Sequence, residues 1–494
     1  MNYQSTRGKS GESLTSAQII KQGLALDGGL FIPDEIPAVS LDDIKALSAL
    51  SYPERAATIL AKYLTDYSYD ELLADCREAY SETAFPGGAA PVVKAKDGIY
   101  SLELWHGPTA AFKDMALQIM PRLLSRALTK TGEERTALIL VATSGDTGKA
   151  ALEGYKDVEK IKIMVFYPVD GVSRVQKMQM ATQSGENVNV TAIYGNFDDA
   201  QTGVKKIFSD SDAVAYLNEK GYFFSSANSI NWGRLAPQIV YYFSAYCDLV
   251  SQGEIVLGDK INVCVPTGNF GNIFAAYLAK LMGLPIGKLV CASNQNNILT
   301  DFLATGRYDR NRDFHCTMSP SMDILISSNL ERLLALTAGK EATAEYMADL
   351  GSKGVYEVSD DVKAKISENF AGYFADETET ATTIRKYFTE NAYLADTHTA
   401  VALCSAEKYI AESGDKTPMV VASTASPYKF AADVCASLGL EKPEDDLDAL
   451  DMLVNATNTE IPYPLKGIAT RTVRFTETVK AEDMLAAVKA YINE

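Results

Sequence analysis

Short apolar runs alternate regularly with amphipathic runs between residues 134 and 292. The apolar runs are rich in β-branched residues and predict strands at 137–143, 161–167, 188–193, 222–226, 261–266 and 288–292. The runs between them have helical periodicity and predict helices at 149–155, 172–182, 198–209, 232–249 and 271–281. Apolar strands that alternate with helices are typical of a parallel sheet covered on both faces. The alternation therefore predicts an α/β fold.

The segments that flank this region differ from it in pattern. Residues 1–95 are mostly helical in periodicity and end near the Pro/Gly-rich stretch Pro86-Gly87-Gly88. We therefore expect a separate small domain at the N-terminus. A further strand at 419–422 precedes a helical pattern at 426–437, and the charged segment 341–390 predicts helices at the surface.

Composition and charge exclude several classes of function. The net charge of −18 argues against nucleic acid as a general partner, and it means that an anionic substrate must be held by local donors. No apolar run approaches the ~18–20 residues that cross a bilayer, and the first residues lack the apolar core of a signal peptide. The seven cysteines are scattered without a Cys-x-x-Cys pair, so we expect reduced thiols in a cytoplasmic protein. His106, His315 and His398 lie far apart in sequence and predict no metal site.

One lysine follows a tight turn and begins a helical pattern. It lies in the string Leu104-Trp105-His106-Gly107-Pro108-Thr109-Ala110-Ala111-Phe112-Lys113-Asp114. A helix N-terminus attracts anions and disfavours cations, so a free ammonium at Lys113 needs a reason. A Schiff base between Lys113 and an aldehyde cofactor is one such reason.

Four loops that follow predicted strands carry small polar residues, and ligands bind at the carboxyl ends of strands in open α/β sheets. The loop at 143–148 exposes backbone N–H groups that suit a carboxylate or phosphate, although an N-cap with a flexible turn explains the same residues. The loop at 266–272 combines two glycines with asparagine donors and lacks a Walker lysine. The loop at 228–234 clusters Asn, Ser and Arg and suits a phosphate, with a capped helix and a surface arginine as the alternative. The fourth loop, at 422–426, is rich in hydroxyl groups.

Taken together, these motifs resemble the threonine synthase family, in its longer bacterial and fungal-type branch. The resemblance rests on 106–114, 143–148, 228–234 and 268–272 in this order, and it extends over essentially the whole chain. It implies the pyridoxal-phosphate fold of the tryptophan synthase β type, with two open, twisted, mostly parallel sheets covered by helices and a small, mostly helical N-terminal domain. The implied domains are 1–95, a smaller α/β domain at 110–225 with a mobile substrate loop, and a larger one at 96–109 and 226–494.

The resemblance also implies a role for each site residue. Lys113 would hold pyridoxal 5'-phosphate as a Schiff base and then move protons as the free amine. The cofactor phosphate would lie against Gly268, Asn269, Phe270, Gly271 and Asn272, and Thr424 would bond to the pyridine nitrogen. The substrate carboxylate would be received by Ser144, Gly145, Asp146 and Thr147. Its phosphate would be held by Ser229, Asn231 and Arg234.

The activity implied is the conversion of O-phospho-L-homoserine and water into L-threonine and phosphate. An alternative with the same cofactor is a phospholyase that releases 2-oxobutyrate, ammonia and phosphate. A third reading, a non-catalytic relative, predicts a broken lysine or phosphate loop, and both are intact here. We expect a small-molecule substrate and neither nucleic acid nor membrane as partner, while the sequence leaves a monomer or a homodimer open.

Overall fold

The computed structural model describes residues 1–8, 13–143, 145–170, 172–443 and 445–493. The strands in these ranges are β1 (Tyr3–Ser5), β2 (Phe31–Pro33), β3 (Val92–Lys96), β4 (Ile99–Glu103), β5 (Thr136–Ala142), β6 (Ile161–Pro168), β7 (Val188–Tyr194), β8 (Tyr222–Ser225), β9 (Ile261–Pro266), β10 (Ile286–Ser293), β11 (Arg307–Asp309), β12 (Val355–Glu357), β13 (Phe370–Phe374), β14 (Met419–Ser423) and β15 (Thr478–Lys480).

The helices in the same ranges are α1 (Ser16–Gln22), α2 (Leu41–Ser48), α3 (Tyr52–Tyr63), α4 (Tyr69–Ala79), α5 (Asp114–Leu117), α6 (Met120–Lys130), α7 (Asp146–Tyr155), α8 (Arg174–Ala181), α9 (Phe197–Ser209), α10 (Ser211–Glu219), α11 (Trp232–Gln252), α12 (Gly271–Met282), α13 (Ile298–Thr305), α14 (Leu330–Thr337), α15 (Lys340–Ser352), α16 (Asp360–Asn369), α17 (Glu377–Asn391), α18 (Thr397–Ser413), α19 (Ala431–Ser437), α20 (Asp448–Thr457) and α21 (Met484–Asn493). Among them, none combines the length and apolarity needed to span a bilayer.

Five parallel strands form one of the two large sheets, in the order β15-β7-β6-β5-β8. Strands β5 and β6 are almost wholly buried because helices cover both faces, as their apolar runs predict. The edge strand β15 comes from the end of the chain, which the sequence analysis assigned to the larger domain. A three-residue strand carries too little periodicity to reveal which distant strand it pairs with.

The second large sheet has six strands in the order β13-β10-β9-β14-β4-β3. All its pairings are parallel except the one between β3 and β4 at the edge. Strands β4 and β14 lie side by side, with Glu103 opposite Ser423. The segment that leads to Lys113 therefore leaves the sheet beside the hydroxyl-rich turn that follows β14.

The N-terminal segment packs against α11, the longest helix of the described residues. Helix α11 is buried on nearly all sides, which is typical of a helix at the centre of a large core. The rings of Tyr3 and Tyr63 lie 5.3 and 5.5 Å from that of Trp232, at the start of this helix. The predicted fold class, parallel sheets covered by helices with an added N-terminal region, is confirmed.

Candidate active site

The turn before Lys113 is held by the carboxylate of Asp114. Its two oxygens accept hydrogen bonds from the backbone N–H of Thr109 at 2.8 Å and from the Thr109 hydroxyl at 2.7 Å. Gly107 must be a glycine here, because a Cβ atom would lie 2.6 Å from that carboxylate. Burial raises the pKa of Asp114 to about 6. Lys113 itself is the N-cap of α5, as the sequence pattern indicates.

The side chain of Lys113 is largely buried between two polar partners. Its Nζ atom lies 3.4 Å from the Ser321 hydroxyl and 3.5 Å from the carboxylate of Asp146. Burial lowers the pKa of Lys113, and the cations Lys429 and Arg234 act in the same direction, against the opposing effect of Asp146. A lowered pKa increases the fraction of Lys113 in the neutral form, which can act as a nucleophile and as a base.

Asp146 begins α7 and is shared by two lysines. Its Oδ1 atom lies 2.6 Å from Nζ of Lys429 and accepts a hydrogen bond of 2.8 Å from the Gln176 amide. Although burial acts to raise it, the pKa of Asp146 is held well below its usual range by Lys429 and then Lys113. The sequence analysis placed Asp146 in the substrate site but missed Lys429. No sequence signal marks a lysine as fully buried.

The carbonyl groups of the loop between β9 and α12 are bonded to a neighbouring segment. The carbonyl of Gly268 accepts the Ser327 hydroxyl at 2.7 Å, and that of Asn269 accepts the backbone N–H of Asn329 at 3.0 Å. Phe270 has a φ of 62°, in the left-handed region, which gives the turn into the helix. The first N–H groups of α12 have no acceptor within the helix and form a site for an anion.

Asn272 adds an unpartnered donor to this loop. Its Oδ1 atom accepts hydrogen bonds from the hydroxyl groups of Tyr241, at 2.6 Å, and Tyr242. Its Nδ2 atom is buried and has no partner among the described residues. A buried amide donor without an acceptor is costly, so the loop is complete only with an acceptor beside it.

Ser321 connects this loop to Lys113. Its hydroxyl faces Nζ of Lys113, and a Cβ atom on Gly268 would lie 2.8 Å from its carbonyl oxygen. Its backbone N–H donates to Nε2 of His398 at 3.2 Å, and Nδ1 of that ring lies 3.0 Å from Asp396. Because Nε2 accepts, the proton of His398 lies on Nδ1 and is donated to the carboxylate. The sequence analysis gave Ser321 no role.

Thr424 lies beside the segment that leads to Lys113. Its carbonyl oxygen accepts the backbone N–H of Phe112 at 2.8 Å, and Ala425 pairs with Ala111 in an isolated bridge. The Thr424 hydroxyl is nearly buried and makes no hydrogen bond to any part of the chain that the structure describes. The geometry thus brings Thr424, Lys113 and the loop of 268–272 together.

The loop after β5 is built around Thr143. The Thr143 hydroxyl accepts the N–H groups of Gly145 at 3.0 Å and Gly148 at 2.9 Å. Gly145 has a φ of 139° and touches the Gln176 side chain, so no larger residue fits there. Thr147 is half-buried. Ser144, which the sequence analysis placed in this site, lies outside the described residues.

The residues predicted to hold a substrate phosphate differ in availability. Asn231 is the N-cap of α11, and its side chain is occupied by the N–H of Gly233 at 2.8 Å and the carbonyl of Ile20 at 2.9 Å. Ser229 is half-buried. The Arg234 guanidinium is buried and donates to the carbonyl of Ala227 at 2.7 Å, while its Nε atom has no partner in the described ranges. Burial lowers the pKa of Arg234 to about 10.

A fully buried arginine joins the loops of 228–234 and 268–272 to the N-terminal segment. Arg332 donates to the carbonyl of Phe31 at 2.9 Å, to that of Ile230 at 2.6 Å, and to the side chain of Asn329. Asn329 in turn donates from its amide to Asn269 at 2.9 Å. Sequence reasoning missed this arginine, because its three partners come from distant parts of the chain.

These residues fit pyridoxal 5'-phosphate. A largely buried lysine amine is available for the aldehyde, and the N–H-rich loop with the orphaned Asn272 amide suits the phosphate. The unpartnered Thr424 hydroxyl suits the pyridine nitrogen. Lys113 would carry the cofactor, Gly268–Asn272 its phosphate group, and Thr424 its ring.

Comparison with known proteins gives the same family over the whole chain. Three family models match in sequence order, described as "Threonine synthase N terminus" at 2–80, "Pyridoxal-phosphate dependent enzyme" at 86–425 and "Threonine synthase, C-terminal" at 399–492. A human protein named "Threonine synthase-like 1" is 41% identical over 459 residues, and the alignment covers 90% of this chain but 61% of that protein. The threonine synthase of Pseudomonas aeruginosa is 38% identical, over 87% of this chain and 89% of its own length.

Solved structures of threonine synthases have the same architecture. The pyridoxal-phosphate-bound enzyme from Brucella melitensis aligns with a TM-score of 0.88 at 37% identity, over 100% of this chain and 98% of its own. The yeast enzyme aligns with a TM-score of 0.88 at 33% identity, over 100% and 99%. The predicted cofactor is confirmed by the family. The chain belongs to the threonine synthase family of pyridoxal-phosphate dependent enzymes.

Proposed function

We propose that this chain converts O-phospho-L-homoserine and water into L-threonine and phosphate. The observation that carries the proposal is a buried arginine with an unpartnered donor near Lys113. The buried guanidinium of Arg234 has an unpartnered Nε atom, and it is near enough to Lys113 to lower the pKa of that amine. A substrate that brings its own phosphate would supply the missing acceptor.

The cofactor site prepares the substrate for loss of protons. Pyridoxal phosphate, when bound, supplies a ring that withdraws electrons from the α-carbon of an attached amino acid. The loop of Gly268–Asn272 would hold the cofactor phosphate, and Thr424 would donate or accept at the ring nitrogen. These contacts would orient the ring against Lys113, which contacts Ser321 and directly follows Phe112, the residue bonded to Thr424.

Lys113 would move the protons of the reaction. Its amine takes the α-proton of the substrate, and burial favours the neutral form that can do so. The β-proton and the phosphate then leave, and a proton is delivered to the γ-carbon, which becomes the methyl group of threonine. Water adds its hydroxyl to the β-carbon and gives its other proton to the phosphate, and a proton returns to the α-carbon. The carboxylate of Asp146, 3.5 Å away, would stabilise the ammonium of Lys113 while it holds the proton.

Arg234 would stabilise the phosphate as it leaves. A buried cation in a site from which water is excluded stabilises developing negative charge more than an exposed one. The hydroxyl of Tyr155 is also buried without a partner among the described residues, and the two groups interact electrostatically. We therefore propose Tyr155 as a further donor to the substrate phosphate, together with Ser229.

Product analysis separates this function from the alternative phospholyase. The purified holoenzyme is incubated with O-phospho-L-homoserine, and threonine, 2-oxobutyrate and phosphate are quantified. We expect threonine and phosphate in equal amounts. Phosphate with 2-oxobutyrate and ammonia in place of threonine would establish the phospholyase instead.

We also propose a cytoplasmic location, because all seven cysteines are free thiols and most are buried among apolar side chains. Titration of the folded protein with a thiol reagent under non-reducing conditions is expected to find no disulfide. An interdomain or intermolecular disulfide would contradict this location.

A further inference from the structure

The buried ion pair of Asp146 and Lys429 also contacts the segment that carries Lys113. Oδ1 of Asp146 binds Lys429 tightly, at 2.6 Å, whereas Oδ2 faces Lys113 loosely, at 3.5 Å. The Lys429 side chain has no exposed surface. Its ammonium also donates to the carbonyl of Thr109 at 2.9 Å, in the turn that leads to Lys113. Lys429 thus contacts the carboxylate beside the reactive amine and the backbone that positions it.

The net charge of the cluster formed by Asp146, Lys113 and Lys429 changes during the reaction, because the charge of Lys113 changes. Lys113 is charged when its amine holds a proton and neutral when it has released that proton. If Lys113 were its only cationic partner, the buried carboxylate of Asp146 would be left without a counter-charge whenever Lys113 is neutral. It would then tend to take up a proton itself. A second, permanent cation removes that difficulty.

We propose that Lys429 is a positioning residue that keeps Asp146 ionised and fixed, so that Lys113 alone carries the proton that moves to and from the substrate. This inference rests on the proposed function, because it assigns Lys113 the proton transfers. In chemical terms, Asp146 accepts hydrogen bonds throughout and gains no proton, while Lys113 takes the α- and β-protons from carbon and returns one proton to the γ-carbon and one to the α-carbon.

The other charged groups around the cluster do not take over this task. Asp114 contacts Thr109 and carries a charge of the wrong sign to balance Asp146. Arg234 acts on Lys113 electrostatically, and no hydrogen bond joins it to Asp146 in the described part of the chain. From α8, Gln176 contributes an amide without charge. Lys429 is therefore the one direct cationic partner of Asp146, among the described residues, that does not take part in the chemistry.

The test combines Lys429→Met, Asp146→Asn and the double variant. In Lys429→Met, Asp146 is left with Lys113 alone, and we expect kcat to fall about 10- to 100-fold. We also expect the visible absorption of the bound cofactor to show a new pH transition between about pH 6 and 9, because an unpaired buried carboxyl titrates there. Lys429→Arg, which keeps the charge, is expected to restore a spectrum without that transition.

The double variant distinguishes this role from a structural one. If Lys429 acts through Asp146, the double variant loses no more activity than Asp146→Asn alone, and it lacks the new transition. Additive losses, or a Lys429→Met holoenzyme whose spectrum and pH profile match the wild type, would overturn the proposal. If Lys429→Met alone does not fold, a folded double variant with the spectrum and the activity of Asp146→Asn supports the pairing, and a double variant less active than Asp146→Asn overturns it.

Lys149→Met is the matched control. Lys149 is also buried, lies on the same helix as Asp146, and pairs with Glu153 at 2.9 Å. Its loss is expected to lower the melting temperature without adding a pH transition to the cofactor spectrum. The spectra require no substrate, so they test the role of Lys429 even if the enzyme proves to make 2-oxobutyrate.

Discussion

Asn272→Asp tests whether the orphaned amide in the loop of 268–272 serves the cofactor phosphate. The substitution is nearly isosteric. It keeps the oxygen that accepts the hydroxyl groups of Tyr241 and Tyr242, and it replaces the unpartnered NH2 group with a second oxygen. The change therefore removes one donor and leaves the packing of the loop as it is.

The expected effect follows from the number of interactions lost. A hydrogen bond from an amide to a charged phosphate contributes about 1.5–3 kcal/mol, and an oxygen in its place adds repulsion. A loss of about 3 kcal/mol corresponds to a roughly 150-fold weaker Kd for the cofactor. The protein without cofactor loses no hydrogen bond but gains a buried carboxyl group, so its melting temperature is expected to fall, and the Kd is measured at a temperature where both proteins are folded.

Cofactor affinity is measured by titrating the apoenzyme with pyridoxal phosphate and following the visible absorption. Tyr242→Phe is the control, because it removes one hydrogen bond to Oδ1 of Asn272 and leaves the Nδ2 donor in place. We expect this control to lower the melting temperature while the Kd changes less than threefold. An Asn272→Asp protein that binds the cofactor as tightly as the wild type would refute the assignment of this amide to the phosphate.

Three further substitutions test Lys113, Arg234 and the turn that is held by Asp114. Lys113→Ala is expected to abolish the cofactor-linked visible band and turnover while folding is retained, since Asp146 keeps its bond to Lys429; absorption and product assays check this. Arg234→Met is expected to raise KM for the phosphorylated substrate about 10- to 100-fold in steady-state kinetics, with an unchanged cofactor Kd, because it removes a charged donor. Asp114→Asn removes a carboxyl whose pKa is raised from 3.8 to about 6, so its contribution to stability is full below pH 3.8 and is lost as pH rises through 6. The stability of the wild type relative to this variant should therefore increase by about 1 kcal/mol from pH 7 to pH 5 in denaturant titrations, and parallel pH curves would contradict the raised pKa.

The positions of most long strands could be predicted from the local sequence pattern. The runs of β-branched residues in β5, β6, β7 and β9 have the period and burial of strands inside a covered parallel sheet, so their positions could be predicted closely. The short strands β13 and β15 could not. Each depends on which distant strand offers an edge, and three to five residues hold no such information.

The residues of the candidate site also differ in whether local sequence pattern could predict them. Lys113, the glycines of 268–272 and the loop at 143–148 are marked by turn chemistry, because a tight turn or a bare helix N-terminus needs particular residue types in sequence. Asn231 shows the limit of that reasoning. The same residue type that suits a phosphate also suits an N-cap, and only the contact with Ile20 reveals which role its side chain has here.

Local pattern in the sequence is enough to place most strands of the two large sheets, the loops at the carboxyl ends of those strands, and the tight turn before Lys113. These features depend on residues that are neighbours in the chain. Three features can be seen only in the folded chain: β14 lies beside β4, Lys429 and Lys113 share Asp146, and Arg332 joins two loops. Buried charges are paired by packing between distant segments, and their partners are therefore not written in any local pattern.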